Sequence, residues 1–212
     1  TLEEVYINNN EIKNISRMDI ANLTRLFKIE LSGNQISSIE TSCFKGTTLR
    51  WISLNNNKLT DFPDFSEVKD TIEEVYINNN EIKNISRMDI ANLTRLFKID
   101  LSHNQISSIE TSCFKGTTLR WISLNNNKLT DFPDFSKVRD TIEEVYINNN
   151  EIKNISRMDI ANLTSLFKID LSYNQISSIE TSCFKGTILR WISLNNNKLT
   201  DFPDFSKVKD TI

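Results

Sequence analysis

Three kinds of residue in this 212-residue chain could do chemistry, and spacing decides how far each goes. Cysteine stands at Cys43, Cys113 and Cys183, histidine only at His103, and carboxylates gather at Asp61, Asp64 and Asp70. A thiol and an imidazole together would serve nucleophilic catalysis. The imidazole is missing beside Cys43 and Cys183, and no HExxH, CxxC or GxGxxG string is present. The aspartates lack the glycine-centred loop of a calcium site and read as solvated turn carboxylates. No catalytic residue, metal ligand or cofactor is therefore expected. Sequons stand at Asn14, Asn22, Asn84, Asn92, Asn154 and Asn162, where an exposed carboxamide could accept an N-glycan on the flank or convex side of the fold.

The cysteines recur every 70 residues, and so does everything else. TLEEVYINNN at 1 returns as TIEEVYINNN at 71 and 141, which marks units 1–70, 71–140 and 141–210, with Thr211 and Ile212 beginning another copy. The units differ at seven places: Leu2/Ile72/Ile142, Arg25/Arg95/Ser165, Glu30/Asp100/Asp170, Gly33/His103/Tyr173, Thr48/Thr118/Ile188, Glu67/Lys137/Lys207 and Lys69/Arg139/Lys209. Inside each unit LEEVYINNNEI, LFKIELSGNQI and LRWISLNNNKL share the pattern LxxLxLxxNxL, starting at Leu2, Leu26, Leu49 and then Ile72. Val5 and Ile7 alternate with polar neighbours, as do Ile52 and Leu54, which reads as a very short, half-buried strand. One such strand cannot bury its apolar side alone. Parallel copies stacked about 4.8 Å apart would build one continuous core.

On that pattern, repeated nine times over the whole length, the chain resembles the leucine-rich repeat family. SCFKGTTL and IANLTRL are similar to the back half of its extracellular "typical" subclass, with Ile20 where that subclass carries Phe. The resemblance implies an α/β solenoid: a right-handed coil with a parallel concave β-sheet of nine short strands and a mostly irregular, short-helical convex side. It also implies an extracellular or cell-surface protein, while the residues themselves predict one solenoid over 1–212, no enzyme and, at Thr1 and Ile212, no capping domains. The last asparagine of each motif (Asn10, Asn34, Asn57, Asn80, Asn104, Asn127, Asn150, Asn174 and Asn197) is expected to turn inward in a ladder of buried amides. Asn55 and Asn56 are expected to face solvent.

On the convex side, Ser16 to Asp19 reads as a capping box that starts a helical turn with Met18, Ile20 and Leu23 inward. TSCFKG reads as a shorter helical turn that carries Phe44 into the core and ends near Gly46. Pro63 makes FPDF polyproline-like or 3₁₀. The cysteines lie three coils, or about 14 Å, apart, beyond disulfide reach, so they read as small buried apolar residues. Interchain pairing or a reactive thiol is the alternative.

The concave face carries columns: Glu4, Lys28, Trp51 and their copies, and beside them Tyr6, Glu30, Ser53 and theirs. Glu4 and Lys28 could pair across strands. The binding candidates are Tyr6, Trp51, Tyr76, His103, Trp121, Tyr146, Tyr173 and Trp191, because exposed aromatics are enriched where surfaces bind partners. With 25 basic against 28 acidic residues there is no basic field for nucleic acid, and no apolar run nears the roughly 20 residues of a membrane span. A face that repeats suits a partner that repeats: a protein polymer, a glycan chain or another copy, met through the concave face and the open solenoid ends. A structural or adhesive array, longer than this chain or joined end to end as a fibre, is the expected function. A receptor-type module with one protein ligand, or an engineered repeat scaffold, is the alternative.

Overall fold

A computed structural model of the chain describes residues 2–209; Thr1 and the Thr211–Ile212 start of another copy lie outside the described residues. Nine three-residue strands form one parallel sheet in chain order. They are Glu4–Tyr6, Lys28–Glu30, Trp51–Ser53, Glu74–Tyr76, Lys98–Asp100, Trp121–Ser123, Glu144–Tyr146, Lys168–Asp170 and Trp191–Ser193. The register never slips: Glu4 lies beside Lys28, Lys28 beside Trp51, and Trp51 beside Glu74. Side chains alternate along a strand, so a slip of one residue would turn every central Val or Ile to solvent.

Those central residues make the core. Ile29, Ile52, Val75, Ile99, Ile122, Val145 and Ile169 are buried, together with Leu54, Ile77, Leu101 and Leu124 on the way out of the strands. Each such burial contributes about 1.5–3 kcal/mol, and each needs the coil on either side to supply the covering surface. Val5, in the first described coil, is only half-buried, and Leu2 and Ile7 are exposed where their counterparts Ile72 and Ile77 are fully buried.

The three-asparagine runs divide the labour of turning the chain. Asn9, Asn56, Asn79, Asn126, Asn149 and Asn196 adopt left-handed backbone with φ of 54–57°, and Gly33 (66°), His103 (53°) and Tyr173 (52°) take the same conformation at their coils. Asparagine and glycine tolerate that region better than other residues. The expectation that Asn55 and Asn56 both face solvent is corrected accordingly. Asn56 is exposed, but Asn55 is half-buried and its Oδ1 accepts the Asn78 N–H at 3.1 Å. The third asparagine reaches backward: Asn57 Nδ2 donates to the Leu31 and Leu54 carbonyls at 3.1 Å, and its Oδ1 accepts the Ile36 N–H at 2.9 Å.

Behind the sheet, each of the three coils in a unit solves the return path differently. Arg17–Ile20 is a single helical turn, started by the Asp19 carboxylate, which accepts the Ser16 N–H at 2.7 Å. Ile20 is buried, but Met18 is 91 % exposed, and Met88 and Met158 are 86 % and 85 % exposed, so the inward placing of Met18 is wrong. Residues two apart lie about 200° apart around a helix, so one turn cannot bury both. TSCFKG is a run of turns, not a helical turn, and it still carries Cys43 and Phe44 into the core before Gly46 at φ +76°. After FPDF, which is irregular, Ser66–Val68 forms a 3₁₀ turn. Phe44 and Phe65 stack with ring centres 5.4 Å apart.

One feature has no counterpart in the sequence pattern. Asn14–Ile15 pairs with Ser38–Ile39 in a small parallel sheet, repeated at Asn84–Ile85 with Ser108–Ile109 and at Asn154–Ile155 with Ser178–Ile179. Beyond the second strand the Glu40 N–H bonds the Ile15 carbonyl at 2.9 Å. The matching residue of the third coil is Pro63, which has no N–H, so this ladder stops after two coils.

Candidate functional site

The solvent face of the large sheet assembles itself from the register. In a run of three strands, tyrosine ends the first, lysine begins the second and tryptophan begins the third. Lys28 Nζ lies 5.3 Å from the Tyr6 ring centre and 4.6 Å from that of Trp51. Lys98 repeats this with Tyr76 and Trp121 at 5.3 and 4.9 Å, and Lys168 with Tyr146 and Trp191 at 5.0 and 5.2 Å. Tryptophan then meets the next unit's tyrosine, with ring centres 5.5 Å apart for Trp51–Tyr76 and for Trp121–Tyr146. A ladder of three Tyr–Lys–Trp sets, joined ring to ring, thus runs from Tyr6 to Trp191. Each cation–π contact at such a site contributes about 0.5–1 kcal/mol.

Lys28, Lys98 and Lys168 thus join the candidate site residues, and their place in the tryptophan column, beside the tyrosine column, is visible in the sequence. Their position also corrects the expected Glu4–Lys28 ion pair. Among the described residues only Lys168 has a column glutamate within ion-pair distance, Glu144 at 4.0 Å. The glutamates are occupied by phenols instead: the Tyr6 hydroxyl donates to Glu4, and those of Tyr76 and Tyr146 donate to Glu74 and Glu144 at 2.5 Å. Burial, reinforced by the Glu74 carboxylate, pushes the Tyr76 phenol above its ordinary range, and the Tyr76 oxygen holds the Lys98 ammonium above its own. The same pairing raises Tyr146 and Lys168.

Six of the eight aromatic candidates join this ladder, and His103 and Tyr173 do not. They occupy the left-handed turn beyond the strands, in a row otherwise filled by asparagine and Gly33, and both are exposed. His103 Nε2 lies 3.2 Å from Asn126 Nδ2. In the second column Asp100 accepts the Ser102 N–H at 3.0 Å and its hydroxyl at 2.7 Å, so that carboxylate is turned to its own strand end. Asn125 Oδ1 is buried with no hydrogen-bond partner among the described residues, where its counterpart in Asn55 has one.

The asparagine rows complete the geometry. From Asn34 to Asn197, each third asparagine donates to the carbonyls of its own coil and the one before and accepts an N–H from the previous coil, as with Asn104, which bonds the Ile77 and Leu101 carbonyls and the Ile82 N–H. Asn10 differs: it is exposed and bonds only the Ile7 and Asn8 carbonyls at 3.1 Å. The six sequon asparagines are all exposed. Asn14 Oδ1 accepts the Ser38 hydroxyl at 2.7 Å, while Asn22 sits at φ 70° with its carboxamide oxygen folded over Gly46.

The thiols are buried and unpaired, donate to the Ser16, Ser86 and Ser156 carbonyls at 3.3–3.4 Å, and are pushed up to about 12 by burial. Thiols held that high carry no nucleophilic thiolate near neutral pH. Among the described residues no group of three or more His, Cys, Asp or Glu is placed to hold a metal ion. No helix among them is long and apolar enough to cross a membrane.

Comparison with known proteins gives concordant results. The Leucine rich repeat family profile matches residues 47–106, 70–129, 117–176 and 140–199. Osteomodulin of Bos taurus is 27 % identical over 204 residues, covering 93 % of this chain and 47 % of that protein. Lumican of Coturnix japonica is 28 % identical over 239 residues (98 % and 68 %), and decorin of Rattus norvegicus 28 % over 181 residues (84 % and 50 %). The chain thus spans about half the length of several relatives it matches. A chain of the octameric complex of Latrophilin 3, Unc5D and FLRT2, in which the repeats belong to FLRT2, superposes with a TM-score of 0.77 at 25 % identity, over 92 % of this chain and 61 % of that one. A chain of the Drosophila Toll–Spatzle complex shares the fold, with a TM-score of 0.73 at 21 % identity, over 92 % and 30 %.

Proposed function

Because the chain belongs to the leucine-rich repeat family and is extracellular, we propose that it is a non-enzymatic, protein-binding array with a structural or adhesive role, engaging its partner through the front of the nine-stranded sheet. The observation that carries this reading is the Tyr–Lys–Trp ladder. It presents the same rigid surface every third strand, about 14 Å apart, and the lysines are already held in place before any partner arrives. Equal sites at equal spacing favour a partner that repeats, because each further contact is made at high effective concentration. The ring faces are taken by lysine, so the ring edges and the Glu and Asn columns would make the contact.

Two further observations support the reading. A structure of similar fold belongs to a multiprotein complex of Latrophilin 3, Unc5D and FLRT2, which makes a protein the first partner class to test. The contact between units also occurs twice within the chain in the same form, through Trp51 beside Glu74 and through Trp121 beside Glu144. The same surfaces meeting between copies would extend the array. A receptor-type reading, with one protein ligand, draws on His103 and Tyr173, which make the front of the units unequal.

The test is retention of purified fibrous matrix proteins and of matched monomeric proteins on the immobilised chain. The triple variant Trp51→Ala, Trp121→Ala, Trp191→Ala should lose retention of the fibrous set while keeping its circular dichroism. Unchanged retention removes the front face from the function, and stronger retention of a monomeric protein favours the receptor reading. Glycan attachment is proposed at Asn14, Asn84 and Asn154, whose exposed carboxamides lie on short strands and accept only a serine hydroxyl of the next coil, in preference to Asn22, Asn92 and Asn162, which fold over the glycines of the next coil. Peptide mass mapping of the secreted chain decides between the two sets.

A further inference from the structure

The side of the molecule away from the sheet holds a second surface, and it is electrostatic. A cavity of about 360 Å³ is lined by Arg87, Met88, Ala91, Asn92 and Lys115. Arg87 opens the one-turn helix of one coil, and Lys115 lies on the next, tied to it by the Asn92 N–H, which bonds the Lys115 carbonyl at 2.8 Å. The coil after that is held to the second by the Ser112 N–H, which bonds Asp134 Oδ2 at 3.1 Å, and it contributes Lys137. All three cations are exposed, and among the described residues none has a carboxylate within ion-pair distance.

The nearby carboxylates are engaged elsewhere. Glu110 accepts the Arg87 N–H at 2.7 Å, Asp89 the Ser86 N–H at 2.6 Å, and Asp134 the Ser136 and Ser112 N–H groups. These carboxylates keep their charge, and against burial Lys137 helps to hold Asp134 below the usual carboxylate range. Their oxygens are directed to backbone donors, while the three cations are exposed to solvent. Met88, 86 % exposed, adds an apolar floor beside the cations.

The third unit repeats the arrangement with Arg157, Lys185 and Lys207, its coils joined by the Asn162 N–H to the Lys185 carbonyl at 2.8 Å and the Gly186 N–H to the Lys207 carbonyl at 3.3 Å. The first unit does not. There Glu67 replaces the lysine and accepts the Ser42 hydroxyl at 3.1 Å. Position 67/137/207 is the one place among the seven differences where charge reverses.

We infer that the backs of the second and third units form a docking row for a linear sulfated polysaccharide, with one cluster at Arg87, Lys115 and Lys137 and the next at Arg157, Lys185 and Lys207. Exposed cations gain little from a single small anion, but a chain bearing sulfates at intervals sums many weak contacts across clusters about 14 Å apart. The overall charge of -3 does not prevent this, since at physiological salt a charge is felt over about 8 Å. The extracellular location favours a sulfated sugar over nucleic acid as the polyanion. This inference does not rest on the front-face proposal.

Immobilised heparin is the probe, and the chain is produced without N-glycans because Asn92 lines the cavity. Binding is expected at about 50 mM salt, weakening steeply by about 150 mM as counterions are released. The double variant Lys137→Glu, Lys207→Glu, which gives both units the residue of the first, should bind at least about tenfold more weakly, and Glu67→Lys more tightly than the parent. Changing Lys28, Lys98 and Lys168 to Gln, on the opposite face, should leave heparin affinity unchanged. No binding at low salt, a double variant equal to the parent, or equal affinity for duplex DNA overturns the assignment.

Discussion

The front and back of this solenoid are made by the same coils under different constraints. On the front, nine strands keep one register, the rings and lysines interlock, and the asparagines tie each turn to its neighbour. On the back, the three coils of a unit use a helical turn, a run of turns and a 3₁₀ turn. The sheet is demanding because every backbone group must find a partner at one spacing. The return path has only to cover the core and reach the next strand. Stability therefore depends on what points inward from either side, and specificity on what points outward.

Substitutions can break that statement, beginning where the effect should be greatest. Phe114→Ala, on the irregular back, removes a fully buried ring stacked on Phe135 at 5.1 Å and should cost about 3–5 kcal/mol in urea unfolding. A loss below 1 kcal/mol would show that the back is not part of the core. Asn104→Ala should cost about 3 kcal/mol, since it strands carbonyls of two coils and the Ile82 N–H, whereas Asn10→Ala should cost under about 0.5 kcal/mol because Asn10 is exposed.

Within one helical turn the same contrast narrows to two residues. Ile90→Val should cost about 1 kcal/mol and Met88→Ala less than about 0.5 kcal/mol, despite their similar hydrophobicity. Lys98→Met, which keeps the stem between Tyr76 and Trp121 but removes the charge, should cost about 0.5–1 kcal/mol and raise the Tyr76 phenol titration further, because the ammonium holds it down against burial and the Glu74 carboxylate.

At neutral pH the thiols should contribute no pH dependence at all. Their folded values are raised from 9.0 to about 12, so the folded state holds protons that the unfolded chain releases. Stability from this source is whole below pH 9 and declines as pH rises toward about 12. Alkylation of Cys43, Cys113 and Cys183 at pH 8 should require denaturant; rapid labelling of the native chain would place them at the surface instead.

Much of this architecture was legible in advance because LxxLxLxxNxL marks each position by type. Ile52 and Leu54 had to point inward, and Trp51 and Tyr6 outward, since strand side chains alternate. The family profile and the nine-stranded sheet agree with that reading. Met18 departs from that reading because hydrophobicity gives no direction over a helix of four residues, too short to show a period. The small sheets at Asn14–Ile15 and Ser38–Ile39 were missed because two residues carry no alternation to detect. His103 and Tyr173 looked like members of the binding columns, and nothing in their identity showed that position 33/103/173 bends the chain to positive φ.

By itself, the sequence determined the coil, its period and the inward residues of the strands, because these follow from local alternation and from which residue types are present. Only the tertiary structure decided that each lysine lies between two rings on separate strands, and that Arg87 and Lys115 line one cavity while Glu110 and Asp134 bond to backbone. Such contacts join residues more than 20 positions apart in the chain, and their geometry depends on how coils stack and where each side chain finds a partner, which no single repeat encodes.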